Sequence, residues 1–153
     1  LVLDDEPLLR RHLMTTLERL GADVTSADTV RGARQVAADL CFDYALLDVN
    51  LPDGLGTDLL KERVFGSGTG VVVMTAEGGI SGAVEAMKLG AVDYLTKPFE
   101  PEALALTFSR ARRTRAAERV EQHRKSDTPE QSFVFGGTLA GLEGQLQIGR
   151  AHV

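Results

Sequence analysis

Apolar runs at residues 1–3, 24–27, 44–47, 71–74 and 92–95 alternate with longer amphipathic stretches at 8–20, 30–40, 59–64 and 83–89, and a last helical run opens near residue 102. Short and long segments in strict alternation predict strands and helices joined by βαβ crossovers, which build a parallel sheet. Five such units make an open, doubly wound α/β domain. Ala45-Leu46-Leu47 and Val71-Val72-Val73 lack the alternation of a half-exposed strand. Both are therefore expected at the centre of the sheet, with helices on each face. Pro7 follows an acidic residue at the start of one helical run, and Pro101 does the same before another, an arrangement suited to a first helical turn.

Composition narrows the class further. With 153 residues, 43% of them hydrophobic and 25% charged, the chain has room for one globular domain and an appendage. Cys41 is the only cysteine, so neither an internal disulfide nor a Cys/His zinc site is expected. No apolar stretch approaches the roughly 20 residues of a membrane helix, and the first residues lack a signal-peptide pattern. The expected compartment is the reducing cytoplasm, away from the membrane. The chain opens without Met on an apolar run that already reads as a strand, so the protein is expected to begin a few residues earlier.

Charge divides the chain. Residues 1–109 carry 9 basic and 17 acidic side chains, whereas 110–153 carry 8 basic and 5 acidic. Residues 102–125 contain no Gly or Pro and read as one helix that outruns the domain. Its apolar positions Leu104, Phe108 and Ala111 give way to Arg110, Arg112, Arg113, Arg115, Arg119 and Arg124. Glu118 and Glu121 interrupt the arginines and no aromatic residue joins them, so a solvated surface is expected and no nucleic-acid contact. Ala116, Ala117 and Val120 leave a narrow stripe that could pair with a second copy. Residues 126–130 read as a linker. The Gly-rich segment 133–153, with a helical candidate at 139–148, is too short to bury a core and looks like the edge of another domain. The expected organisation is a domain at 1–112, a helix and linker at 113–132, and a fragment at 133–153.

Open parallel sheets bind ligands beyond the carboxyl ends of their strands. Here the first strand ends in Asp4-Asp5, the third in Asp48 followed by Asn50, the fourth in Thr75-Ala76 and the fifth in Thr96-Lys97-Pro98. If those strands are neighbours, three carboxylates, a hydroxyl and an ammonium meet on one rim. Clustered carboxylates either hold a proton or share a cation. Oxygen ligands without His or Cys select a hard ion, Mg²⁺ above others, with Asp5, Asp48 and a backbone carbonyl near Asn50 as the set. A carboxylate beside such a cation and an ammonium is equipped to attack phosphorus. Thr75 could then hydrogen-bond the acyl phosphate, and the small Ala76 lets a backbone N–H approach it.

The chain resembles the receiver domains of bacterial two-component response regulators. The resemblance rests on Asp4-Asp5, on Asp48-Val49-Asn50-Leu51-Pro52-Asp53-Gly54-Leu55-Gly56, on Val72-Val73-Met74-Thr75-Ala76, and on the run from Ala86 through Tyr94-Leu95-Thr96-Lys97-Pro98-Phe99. It implies a flavodoxin-like (CheY-like) five-stranded sheet of order 2-1-3-4-5 with an extended C-terminal helix, acting as a switch and not as a turnover enzyme. It further implies that Asp48 accepts a phosphoryl group from a sensor histidine kinase and that Asp5 ligates Mg²⁺ directly. Asp4 would bind the ion largely through water, Asn50 through its carbonyl, and Lys97 would grip the phosphate. Thr75 and Tyr94 would then move together and remodel the face of the fourth helix, fifth strand and fifth helix, with a homodimer as the expected readout. The bond between Lys97 and Pro98 is expected to be cis.

The wording is most similar to NtrC-type regulators, in which an AAA+ ATPase acts on sigma-54 RNA polymerase. Phe135-Gly136-Gly137-Thr138 through Ile148-Gly149-Arg150 loosely resembles the opening of that ATPase, although no GxxxxGK[ST] follows. Glu77-Gly78-Gly79 departs from the family in making the loop after Thr75 glycine-rich. A phosphatase of the haloacid-dehalogenase type would also use a strand-end Asp, but it requires a second Asp where this chain has Asn50, and a cap domain as well. A degenerate receiver serving only for dimerisation would not need the intact set of Asp5, Asp48, Thr75 and Lys97. Read singly, Asp4-Asp5 could be a helix cap and residues 48–56 an ordinary polar turn.

Overall fold

The computed structural model describes residues 1–76 and 80–126. Glu77-Gly78-Gly79, the expected linker from residue 127 and the segment at 133–153 expected to be the edge of another domain lie outside the described residues. The chain divides into two units, Leu1–Arg115 and Ala116–Val153. The first unit holds everything that follows, apart from the continuation of its last helix.

Among the described residues, seven strands and five helices run in the order β1 (Val2–Leu3), α1 (Pro7–Arg19), β2 (Ser26–Ala27), α2 (Val30–Asp39), β3 (Tyr44–Asp48), β4 (Asn50–Leu51), β5 (Gly54–Leu55), α3 (Thr57–Lys61), β6 (Gly70–Thr75), α4 (Ile80–Lys88), β7 (Asp93–Thr96) and α5 (Pro101–Ser126). Five strands form one parallel sheet of order β2-β1-β3-β6-β7. Setting aside the separate β4-β5 pair, this is the expected order 2-1-3-4-5.

Successive side chains of a strand face opposite sides of the sheet. Here helices pack against both sides. Leu3, Ala45, Leu47, Val71 and Val73 pack with Val30 and Ala33 of α2, Leu59 and Leu60 of α3, and Ala86 of α4. The intervening Val2, Leu46, Val72, Met74 and Leu95 pack with Leu13 and Leu17 of α1 and with Leu104 and Ala111 of α5. Burial of each large apolar side chain contributes about 1.5–3 kcal/mol, so the unbroken apolar strands are the main attraction holding helices to both faces. Tyr44 at the start of β3 meets Phe108 of α5 edge to face, with ring centroids 5.5 Å apart.

Two local expectations are corrected. The strand read at 24–27 shortens to Ser26–Ala27, the two residues in register with Val2 and Leu3 of its one neighbour β1. The helical run at 59–64 is instead Thr57–Lys61, followed by Arg63 in the left-handed region at φ 54°, which ends the helical path. Residues 48–56 are not a plain polar turn, since Asn50 pairs with Leu55 and Leu51 with Gly54 in an antiparallel hairpin.

Pro7 does open α1, but the preceding Glu6 makes no side-chain cap bond. The α2 N-terminus is capped twice. Thr29 Oγ1 accepts from the Gly32 N–H at 2.9 Å, and the Asp53 carboxylate reaches over from the hairpin to accept from Val30 N–H at 2.8 Å and Arg31 N–H at 3.0 Å. In α5, Arg110, Arg112, Arg113 and Arg119 are exposed, and Arg110 pairs with Asp93 at 3.0 Å. Among the described residues no helix is long and apolar enough to cross a membrane.

Candidate functional site

Because β1, β3, β6 and β7 are consecutive in the sheet, their carboxyl ends share one edge. The residues carried there come from positions 4–5, 48, 75 and 97. One ligand oxygen from each of Asp4, Asp5 and Asp48 can be chosen so that all three lie within 4.8 Å of one another. Asp4 is fully buried and Asp48 nearly so, while Asp5 is exposed.

Lys97 answers two of the three charges. Its Nζ lies 2.7 Å from Oδ2 of Asp4 and 3.2 Å from Oδ2 of Asp48. The shorter of the two contacts goes to Asp4. The other Asp4 oxygen accepts the Glu6 N–H at 2.8 Å, and the Asp4 carbonyl accepts from Nη1 of Arg10 at 2.8 Å. Asp4 is thereby held through both carboxylate oxygens and its backbone.

Burial pushes the Asp48 carboxyl above the usual carboxylate range, the charge of Asp4 adds to the rise, and Lys97 works against it. Burial alone would pull Lys97 down, but its bonds and attraction to Asp4 and Asp48 outweigh that and raise it. The group is thus short of positive charge, with three carboxylates to one ammonium. That is the environment a hard divalent cation satisfies, and the donors are all oxygen. Asp4 already spends both oxygens on Lys97 and Glu6, which leaves Asp5 and Asp48 as the better direct donors.

The β4-β5 hairpin stands beside Asp48. Val49 N–H donates to the Met74 carbonyl at 3.1 Å, and Gly56 N–H returns to the Val49 carbonyl at 2.8 Å. Gly56 is buried, and a Cβ built on it would overlap the carbonyl oxygen of Asp48. Only glycine permits this approach. Asn50 lies on β4 with its side chain exposed.

Thr75 ends β6, half-buried, and its carbonyl accepts the Lys97 N–H at 2.8 Å. Val73 pairs with Tyr94 and Thr75 with Thr96. With a side-chain period of two, Thr75 and Tyr94 therefore share a face as diagonal neighbours. Tyr94 is half-buried and packs on the apolar layer beneath α2, α3 and α4. Ala76 is exposed at the rim, and the Lys97-Pro98 peptide is cis.

Sequence reasoning missed Arg10, Glu6 and Asp53. Arg10 acts on a backbone carbonyl, which no motif announces, and Asp53 meets amides 22 and 23 residues away. The Arg31 and Val30 N–H groups hold the Asp53 carboxyl below the usual range, so it stays ionised where it caps α2.

The family model described as the response regulator receiver domain matches residues 1–108. Among curated proteins, the chain is 40% identical over 122 residues to the response regulator protein PilR of Pseudomonas aeruginosa, covering 79% of this chain and 27% of that one. It is 36% identical over 124 residues to the regulatory protein AtoC of Escherichia coli, covering 80% of this chain and again 27% of the relative. The chain thus spans about a quarter of the length of both. Among solved structures, a response regulator protein from Burkholderia pseudomallei with a phosphorylated aspartic acid, calcium ion and citrate superposes with a TM-score of 0.66 at 28% identity, over 78% of this chain and 72% of that one.

Proposed function

Because this chain belongs to the response regulator receiver family of two-component systems, we propose that Asp48 is its phosphoacceptor and that phosphorylation there sets the state of a downstream effector. The observation that carries this reading is the meeting of Asp4, Asp5 and Asp48 within 4.8 Å, with Lys97 Nζ bonded to two of them. The phosphorylated aspartic acid and the cation in the Burkholderia protein support it by similarity.

Asp5, Asp48 and the Asn50 carbonyl would hold Mg²⁺, with Asp4 behind them as the group that keeps Lys97 in place. Bound there, Mg²⁺ neutralises charge on the transferring oxygens. A carboxylate oxygen of Asp48 forms the O–P bond while the P–N bond to a kinase histidine breaks; the P–N electron pair stays on that nitrogen, and a phosphohistidine protonated on its other ring nitrogen departs as neutral imidazole. Lys97 stabilises the added anion, giving up part of its hold on Asp48 and retaining Asp4. The Thr75 hydroxyl and the Ala76 N–H stand at the rim to bind phosphate oxygens.

Once phosphate draws Thr75, its diagonal neighbour Tyr94 gains room on the same face, and the surface made by α4, β7 and α5 repacks. Val84 and Met87 of α4 and Leu106 of α5 are apolar and exposed, which supports a partner surface there. We read that partner as a second copy, with the helix beyond residue 112 passing the change to an effector. The NtrC-type wording of the motifs at 48–56 and 86–99, with the loose likeness of residues 135–150 to the opening of an AAA+ module, favours a sigma-54 activator of that type as the effector, working in the cytoplasm under a sensor histidine kinase. The chain itself is read as binding neither nucleic acid nor membrane and as having no turnover chemistry of its own.

The test is transfer of radiolabelled phosphate from a phosphohistidine kinase domain, followed by light scattering. The expected result is label on the wild-type chain that is absent from Asp48→Asn, released by hydroxylamine, and accompanied by a change in mass in solution. Label that persists on Asp48→Asn would defeat the reading.

A further inference from the structure

The β4-β5 hairpin has only two residues in each strand, and a hairpin of that size is not stable unsupported. It nevertheless carries Asn50, whose carbonyl is the backbone member of the metal set. Something outside the hairpin must hold that carbonyl still. At the base, the support is the Gly56 N–H on the Val49 carbonyl and the packing of Gly56 on Asp48. At the tip, the support is Asp53, in the turn between Leu51 and Gly54, with one oxygen on the Val30 N–H and the other on the Arg31 N–H.

We propose that Asp53 is a positioning residue for the metal site, holding the hairpin tip on the first amides of α2 and thereby fixing the Asn50 carbonyl where a cation would meet it. The proposal rests on the reading of Asp5, Asp48 and Asn50 as the Mg²⁺ set. Its physical content is that two bonds from backbone N–H groups to a carboxylate are stronger than neutral ones and leave the tip little freedom. Arg34 cannot substitute as an anchor, since its guanidinium is engaged by both oxygens of Glu62 at 2.9 and 2.8 Å. Asp53 touches neither the cation nor the phosphoryl group; it acts through Asn50.

Thr29 provides the control, because it caps the same helix through the Gly32 N–H but has no bond to the hairpin. Removing either cap weakens α2. Only removal of Asp53 releases the tip. Mg²⁺ affinity by calorimetry and amide exchange across residues 50–56 are measured for wild type, Asp53→Ala, Asp53→Asn, Thr29→Ala and Asp5→Asn.

Partners outside the first ligand sphere affect metal affinity by about 10–100-fold, so Asp53→Ala is expected to bind Mg²⁺ about tenfold more weakly, with Asp53→Asn between it and wild type and Thr29→Ala within about twofold of wild type. Faster exchange at residues 50–56 in Asp53→Ala, and not in Thr29→Ala, is expected even without metal. Wild-type Mg²⁺ binding that is lost in Asp5→Asn but unchanged in Asp53→Ala overturns the positioning role alone. Equal losses in Asp53→Ala and Thr29→Ala overturn it too, by tracing the effect to α2. No Mg²⁺ binding by wild type removes the parent reading and this one together.

Discussion

Nζ of Lys97 lies 2.7 Å from Oδ2 of Asp4, a carboxylate with no exposed surface. The pair joins the end of β1 to the residue after β7, across the two strands that separate them in the sheet. Breaking a buried pair by removing one member is costly, because the other charge stays buried without compensation. Lys97→Met is therefore expected to lower folding stability by about 3 kcal/mol in metal-free buffer, measured by urea denaturation. Added Mg²⁺ should restore part of the loss by supplying the missing positive charge, which a purely apolar packing role for the lysine stem would not allow.

Asp48 should have the opposite effect. Its carboxyl is raised by burial and by Asp4, so its ionised form is disfavoured in the folded state. A raised carboxyl contributes stability at acid pH that is lost as pH rises through its folded value. Asp48→Asn is accordingly expected to raise the thermal midpoint at neutral pH without metal. The gain should shrink as pH falls toward the ordinary value of 3.8, where the wild-type carboxyl takes up its proton. A constant gain at every pH would point to packing and not to charge.

Gly56 sits where a side chain would overlap the Asp48 carbonyl oxygen. The obstructing atom is backbone at the site itself, so the overlap is relieved only by moving β3 or the hairpin. Gly56→Ala is expected to destabilise the fold by about 2 kcal/mol or more, in the range of core overpacking, and to weaken Mg²⁺ binding. Gly66→Ala, where an added Cβ meets no atom within 4 Å, serves as the comparison and should be nearly neutral.

What the sequence disclosed follows from where the information lies. Val71-Val72-Val73 and Ala45-Leu46-Leu47 announced central strands because both faces of those strands are covered. The short edge strand at Ser26–Ala27 and the hairpin at residues 50–55 carry little apolar pattern, and their pairing depends on tertiary neighbours. Asp4, Asp5, Asp48, Thr75 and Lys97 were legible as strand-end residues. That Lys97 would bond Asp4 more closely than Asp48 was not, since 93 residues separate the pair and its geometry is set by the strand order. Asp53 looked like part of a turn; its partners on α2 exist only after the fold has formed.

Thr107 of α5 is buried, and its Oγ1 has no partner among the described residues. A buried polar group left unpaired costs about 1–3 kcal/mol. Thr107→Val keeps the shape and removes the hydroxyl, so it is expected to raise stability by about 1 kcal/mol in urea denaturation. Unchanged or lower stability would mean that the hydroxyl is satisfied in solution.

Uptake of phosphate by Asp48, as proposed, depends on a divalent cation. Intact-mass spectrometry after brief incubation with acetyl phosphate, on wild type and Asp48→Ala, with and without Mg²⁺, tests it most directly. One added phosphoryl group is expected on the wild-type chain with Mg²⁺ present, and none when either Mg²⁺ or Asp48 is removed. A folded, Mg²⁺-binding wild-type chain that gains no mass, or an Asp48→Ala chain that gains it, would rule out Asp48 as the phosphoacceptor.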